Sequence, residues 1–447
     1  MIAFSKKNDI FTTYNAHRKK SLRKCLCYAP FRSLRFSQSG RVLVCCFNRG
    51  YTLGRYPDET IHDIWFGEKM KNFRERILKN DLSLGCTECS ERIEKKLFEL
   101  SGSLQYDYLA QYAESFYPQM LDFELSNICN LKCVMCTGEN SSLIRAEREQ
   151  LTPYVSAYDK NFVRQLGEFI PYLKEARFSG GEPFLIPLYY DIWNLITDIN
   201  PSTNISVLTN TTVLNDSIKQ LLEKANFQIS VSIDSFEKKT YESIRENAAI
   251  EKVKENMAFF YDYSQRKNKN FCINVCPGRR NWHEIPSIVN YCNEQNIQLV
   301  LHTLVFPPAE ALWSLDTRSL MKIEKVLSSE KIKCTSKISE KNLKVFENFK
   351  VQVKEWLKTA YLSDEKKISL TNKTEDELFS ILSNHIYHET DSYFSTIRSL
   401  LLNSEINTEP RKKILIQLLS FRPELIISEI QHSDKERLLL RLKMLNF

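Results

Sequence analysis

The sequence has no long hydrophobic run. None of its stretches approaches the roughly 18 to 20 apolar residues that span a bilayer, so no membrane partner is expected. The N-terminus, MIAFSKKNDIFTTY, offers only four apolar residues in a row and lacks the apolar core of a secretory leader. Repeats and low-complexity tracts are also missing, which sets aside solenoids and disordered arrays. Charge of one sign is scarce: 62 Lys and Arg against 55 Asp and Glu leave a net +7 over 447 residues. That surplus is too mild to argue for nucleic acid. One basic stretch, HRKKSLRK at 17–24, reads more simply as a solvated arm than as an RNA contact. The expectation is a cytoplasmic protein.

Cysteine is what the chain has in quantity. Thirteen of them fall in pairs and triplets, which in a reducing compartment read as metal ligands rather than disulfides. Hydrophobic residues at 43% and charged residues at 26% are ordinary for a globular protein. The length allows two or three domains, each with its own core.

Three regions differ in texture. Residues 20–100 hold six cysteines and a helical stretch, DETIHDIWFGEKMKNFRERILKNDL, with Ile61, Ile64, Trp65, Met70, Phe73 and Ile77 near one face. A tyrosine-rich connector follows at 101–117. Between 118 and 314 the β-type runs MLDFELS, ARFSG, ISVLTN, QISVSID, CINVC and IQLVLHTLVF alternate with helical segments. That alternation predicts parallel strands joined by right-handed crossovers. Residues 315–447 read as a helical appendage. The fold class expected is α/β: a partial (β/α)6 barrel, preceded by a small cysteine-rich α+β module and followed by a helical C-terminal region.

In such barrels the chemistry sits at the C-terminal ends of the strands. There, just past the first strand, LSNICNLKCVMCTGEN places Cys129, Cys133 and Cys136 within eight residues. A 4Fe-4S cluster held by three thiolates keeps one iron open to an outside ligand. Structural zinc prefers four protein ligands and would need its fourth from far away.

Cys129-x3-Cys133-x2-Cys136 after a strand resembles the signature of the radical SAM superfamily, whose open iron is chelated by S-adenosylmethionine. FSGGEPFL, with Gly180, Gly181, Glu182 and Pro183 after the second strand, resembles that family's GGE motif. There the backbone and the glutamate hold the methionyl ammonium, as close-approaching glycines and a carboxylate suit. LTNTT, VSIDS and TYESIR are similar to its later strand-end motifs. The resemblance implies that Asn210, Ser232 and Asp234 lie near the ribose and carboxylate of the cofactor and that Arg245 pairs with the carboxylate. Turn residues and a solvated arginine are the plainer readings of Ser232 and Arg245. Cys272, Asn274 and Cys276 alternate onto one face of the fifth strand, where buried free cysteine competes with a substrate-facing role. Cys292 and Cys334 fall in helical sequence and read as core.

The N-terminal pattern, Cys27, Gly40-x4-Cys45 and Cys86-x2-Cys89, resembles the SPASM/twitch modules that carry auxiliary iron-sulfur clusters. It departs from them in preceding the barrel and in lacking the distal cysteines. One auxiliary 4Fe-4S cluster on Cys27, Cys45, Cys86 and Cys89 is implied, with Cys25 and Cys46 as alternates and a zinc ribbon as the rival. The likeness covers about residues 25–310. It implies a radical SAM oxidoreductase of the maturase type, which forms a 5′-deoxyadenosyl radical from S-adenosylmethionine, abstracts a substrate hydrogen and completes an oxidation through the auxiliary cluster. A peptide or protein substrate is favoured over a carbohydrate-type small molecule, with a reductase such as flavodoxin or ferredoxin as electron donor. A non-catalytic metal-binding scaffold is the third reading.

Overall fold

The computed structural model describes residues 2–112, 115–386, 392–421 and 423–446. Residues 1, 113–114, 387–391, 422 and 447, which include parts of the expected connector and C-terminal region, lie outside the described residues. The chain divides into two compact units, residues 1–275 with 297–300, and residues 276–296 with 301–447.

The first unit is built on one nine-stranded sheet. In chain order the strands are β1 (Ser33–Ser37), β2 (Arg41–Leu43), β3 (Gly54–Arg55), β4 (Met120–Glu124), β5 (Glu175–Phe178), β6 (Asn204–Thr209), β7 (Phe227–Ser232), β8 (Phe271–Val275) and β9 (Gln298–Leu301). Their order in space is β3-β2-β1-β4-β5-β6-β7-β8-β9. The six expected barrel strands are β4 to β9. The cysteine-rich module is not a separate bead ahead of them: β1 pairs in parallel with β4, and β2 and β3 extend the edge in antiparallel fashion.

Strand register explains the two faces of the sheet. Phe36, Phe123, Phe178, Val207, Ile229 and Phe271 lie side by side across six parallel strands, and all are buried. Phe162 meets Phe36 and Phe123 edge-on, and Trp193 meets Phe178. Trp193 belongs to the helix Pro187–Ile199, whose buried Tyr189, Ile192, Trp193 and Ile196 recur at helical spacing. The opposite face carries Arg35, Asp122, Arg177 and Ser206 in one row. Further along it stand Ser230 beside Cys272 and Ser232 beside Asn274.

Several expectations are corrected. The predicted single helix in the module is two, Ile61–Phe66 and Glu68–Leu78, because Gly67 takes an extended conformation that ends one and starts the other. Its six apolar residues are nonetheless all buried. The tyrosine-rich connector has structure of its own, which the sequence reading did not assign: Gly102–Gln111 forms a 3-10 helix with Ser103, Tyr106 and Leu109 buried. The basic arm is not simply solvated. Arg18 is buried, forms an ion pair with Asp107 and donates to the Cys25 carbonyl.

In the second unit the helix Ile285–Glu294 packs with the 35-residue helix Lys337–Thr371. Helices between Glu375 and Met444 gather a core of Leu378, Leu382, Ile397, Leu401, Ile414, Leu415 and Leu438. Cys292 is core, as expected, but Cys334 is exposed, because it precedes the N-cap Ser336 in non-helical chain. Among the described residues no helix is long and apolar enough to cross a membrane.

Candidate functional site

The segment between β4 and its following helix carries Cys129, Cys133 and Cys136, and neighbouring strand ends hold it in place. Gly180 adopts φ +120°, and a side chain there would press to within 2.6 Å of the Ser126 carbonyl oxygen. A side chain on Gly181 would overlap the Ile128 carbonyl. Glycine is required at both because the backbones meet directly: Gly181 N–H donates to Ser126 O at 2.9 Å and Glu182 N–H to Ile128 O at 2.7 Å. The motif after β5 thus docks on the residues that lead into Cys129.

Glu182 then reaches the next strand. Its fully buried carboxylate accepts from Thr209 Oγ1 at 2.8 Å and from the Asn210 N–H at 2.7 Å. Burial lifts its pKa to about 7 against the opposing pull of these donors. Asn210 in turn aims its amide at Cys129 Sγ, 3.8 Å away, and at Asn130 Oδ1, 3.0 Å away. From beyond β7, Asp234 accepts from Arg245 Nε at 2.7 Å in a buried ion pair. The Lys132 and Val134 N–H groups donate to the Glu246 and Ile244 carbonyls, so Cys133 sits in a stretch joined to the chain around Arg245.

The three thiols differ. Burial raises Cys129 to about 11. A hydrogen bond between Cys133 and Cys136 holds Cys133 below the ordinary thiol value and Cys136 well above it. Among the described residues no three His, Cys, Asp or Glu side chains stand close enough together to hold a single metal ion.

The structure therefore brings Cys129, Cys133, Cys136, Gly180, Gly181, Glu182, Asn210, Asp234 and Arg245 to one end of the sheet. Pro183 opens the short helix that follows Glu182. Ser232 ends β7 beside Asn274 on the polar face, which Cys272 shares. Cys276 follows directly after the end of β8 at Val275, ahead of a turn in which Gly278 N–H donates to Asn281 Oδ1 at 2.7 Å.

A second constellation lies in the module. A small cavity is lined by Cys27, Cys45, Cys86 and Cys89, with Phe47, Phe73, Ile77 and Leu82 as apolar wall. The alternates face elsewhere: Cys25 Sγ donates to the Cys27 carbonyl at 3.2 Å, and Cys46 Sγ meets the Tyr106 hydroxyl at 3.6 Å. Burial pushes Cys86 up to about 12 and Cys89 to about 11, and lifts Cys27 and Cys45 well above the usual range, with the other cysteines adding to the rise.

Sequence reasoning missed two contributors. Asn48 donates to Cys86 Sγ at 3.2 Å and to Leu84 O at 2.7 Å, while its own carbonyl accepts from Tyr51 N–H. The turn signal Asn48-Arg49-Gly50 just after Cys46 was the available clue. Gly102, Ser103 and Tyr106 close the cavity from the supposed connector. Their only trace is the apolar and aromatic spacing of that segment.

Comparison with known proteins gives two family matches. The Radical SAM superfamily model matches residues 123–292, and SPASM, an iron-sulfur cluster-binding domain, matches residues 25–90. The AdoMet-dependent heme synthase of Methanosarcina barkeri is 29% identical over 178 residues, covering 40% of this chain and 48% of its own. A GTP 3′,8-cyclase of Clostridium botulinum is 26% identical over 136 residues, covering 30% of this chain and 40% of its own. The chain thus spans half or less of the length of these curated relatives. Among solved structures, anSMEcpe with bound AdoMet aligns with 21% identity and a TM-score of 0.35 over 46% of this chain and 58% of that one. Streptococcus suis SuiB bound to S-adenosylmethionine aligns with 18% identity and a TM-score of 0.35 over 60% and 59%.

Proposed function

Because a radical SAM domain and a SPASM iron-sulfur cluster-binding domain are both present in this chain, we propose that it cleaves S-adenosylmethionine reductively and uses the resulting 5′-deoxyadenosyl radical to oxidise a peptide or protein. The observation that carries this reading is the presence of two separate thiol sets in one unit, three on the loop after β4 and four around the module's cavity.

The residues suit the groups the families imply. On the loop, three thiols leave room for a fourth, exogenous ligand. In the cavity, four buried or half-buried thiols resist ionisation, and metal charge is what would compensate their thiolates. Cys129, Cys133 and Cys136 would hold the cluster that binds S-adenosylmethionine, and Cys27, Cys45, Cys86 and Cys89 the auxiliary one. When bound, the first supplies one electron to the sulfonium and the second accepts one from the substrate. The chain's own contribution is placement. Gly180 and Gly181 dock the loop, Glu182 and Asn210 link it to the end of β6, and the Arg245–Asp234 pair braces the far side. Glu182, Asn210, Ser232, Asp234 and Arg245 are the proposed contacts to S-adenosylmethionine, and Cys272, Asn274 and Cys276 the proposed substrate-facing residues.

The SPASM domain supports the peptide reading, since its presence resembles the organisation of peptide maturases. A small-molecule substrate is the second reading, favoured by the curated relatives, a heme synthase and a GTP cyclase. A one-electron reductase of the flavodoxin or ferredoxin kind would be the electron donor. The test is anaerobic turnover with dithionite and S-adenosylmethionine in fractionated, deuterated cell extract. Deuterium should enter 5′-deoxyadenosine with one fraction, and the nature of that fraction decides between peptide and small molecule. No 5′-deoxyadenosine under any condition would refute the activity.

A further inference from the structure

Tyr241 is fully buried, and among the described residues its hydroxyl has no hydrogen-bond partner. Such a group is costly and rare enough to call for an explanation. Its position supplies one. Tyr241 lies on the helix Lys238–Ile244, in the last turn before Arg245, whose N–H donates to the Tyr241 carbonyl and closes that helix. That end of the helix is the one joined to the cysteine loop: Arg245 holds Asp234, and the carbonyls of Ile244 and Glu246 accept from Val134 and Lys132 on either side of Cys133. Burial raises the Tyr241 pKa, and Arg245, Asp234, Cys133 and Glu242 are near enough to its hydroxyl to influence it; Arg245 and Asp234 act on Cys133 as well. Asp234 is engaged by Arg245, and Cys133 as a thiol is engaged by Cys136. A metal-bound Cys133 thiolate would add a strong acceptor to this pocket.

We propose that Tyr241 is a positioning residue whose hydroxyl donates a hydrogen bond to the Cys133 sulfur when that sulfur ligates the cluster that binds S-adenosylmethionine. The inference rests on the reading of Cys129, Cys133 and Cys136 as cluster ligands. Hydrogen bonds to ligating sulfurs withdraw electron density and raise a cluster's reduction potential. Tyr241 therefore eases delivery of the electron on which cleavage depends.

The experiment uses full-length, anaerobically reconstituted protein. The electron-paramagnetic-resonance signal that changes on adding S-adenosylmethionine identifies the relevant cluster, and its midpoint potential is measured by redox titration. Tyr241→Phe should keep the wild-type iron content and shift that midpoint to a more negative potential. The same substitution in metal-free protein should leave the thermal midpoint unchanged or raise it, because it removes an unpaired buried hydroxyl. A merely structural tyrosine would act the other way, lowering metal-free stability and leaving the potential alone. An unchanged midpoint with full iron overturns the proposal and means that the hydroxyl serves a water instead. As a second probe that keeps the side chain, 3-fluorotyrosine at position 241 is a stronger donor and should move the midpoint to a more positive value, and no movement there also overturns the proposal. Should the wild-type protein give no signal that responds to S-adenosylmethionine, the underlying reading falls, and this inference with it.

Discussion

The two cysteine sites of the first unit are assembled in opposite ways. Around the module's cavity, four thiols come from three separated places in the chain, residue 27, residue 45 and the pair 86 and 89, and line a space with an apolar wall. On the loop after β4, three thiols come from eight consecutive residues and are aligned by backbone hydrogen bonds from the next strand ends. On the proposed assignment the first arrangement is closed, with all four ligand positions supplied from within. The second is short of a ligand and depends on its neighbours for shape. A closed set suits a group that passes electrons, and an incomplete set suits one that binds a substrate.

This difference predicts unequal consequences of damage. The largest effect should follow Cys129→Ala/Cys133→Ala/Cys136→Ala: reconstituted protein should lose about half of its roughly eight irons, the number two 4Fe-4S clusters hold, and cleavage of S-adenosylmethionine should cease. Full cleavage by that variant would end the comparison. Next in size, Cys86→Ala/Cys89→Ala should still release 5′-deoxyadenosine without substrate, yet yield no oxidised product with it, as chromatography of the reaction mixture would reveal. Loss of both activities would make the module a folding element rather than an electron acceptor.

A smaller effect concerns pH. Burial raises Glu182 from an ordinary 4.5 to about 7, so the fold favours the protonated form. That contribution is fully present below the ordinary value and is lost as pH rises through about 7. Glu182→Gln, which does not titrate, should remove this fall, a difference of up to about 3 kcal/mol in the change of stability between pH 4.5 and 8. Denaturant melts of the two metal-free proteins across that range check it, and parallel pH profiles would contradict the burial argument. The smallest effect is a control on the closed site. Cys25→Ala should retain full iron with a stability change below about 1 kcal/mol, whereas Cys27→Ala should lose auxiliary iron. Iron loss in Cys25→Ala with full iron in Cys27→Ala would mean that the wrong member of the pair had been assigned to the cavity.

How far the sequence revealed each site follows the same division. The three-cysteine loop and the Gly180-Gly181-Glu182 turn were legible because their ligands and glycines are contiguous and their strands alternate regularly. The barrel strands β4 to β9 were legible for that second reason. What could not be read was whatever depends on side-chain direction or distant chain. Cys25 and Cys27, or Cys45 and Cys46, are indistinguishable by spacing, and only the folded chain shows Cys25 turned to a carbonyl and Cys46 toward Tyr106. Glu182 read as a ligand for an ammonium, and the structure adds that it bridges β5 and β6 through Thr209 and Asn210. The merger of β1 with β4 was hidden because a parallel partner 87 residues away leaves no local pattern in either strand.

The most direct test of the account is the response of reduced, reconstituted protein to S-adenosylmethionine, followed by electron paramagnetic resonance in wild type and in the Cys129→Ala/Cys133→Ala/Cys136→Ala variant. The account predicts two cluster signals in wild type, one of which changes on addition, and in the variant a single signal that does not change. A signal that still responds to S-adenosylmethionine in the variant would contradict the assignment of one open and one closed site.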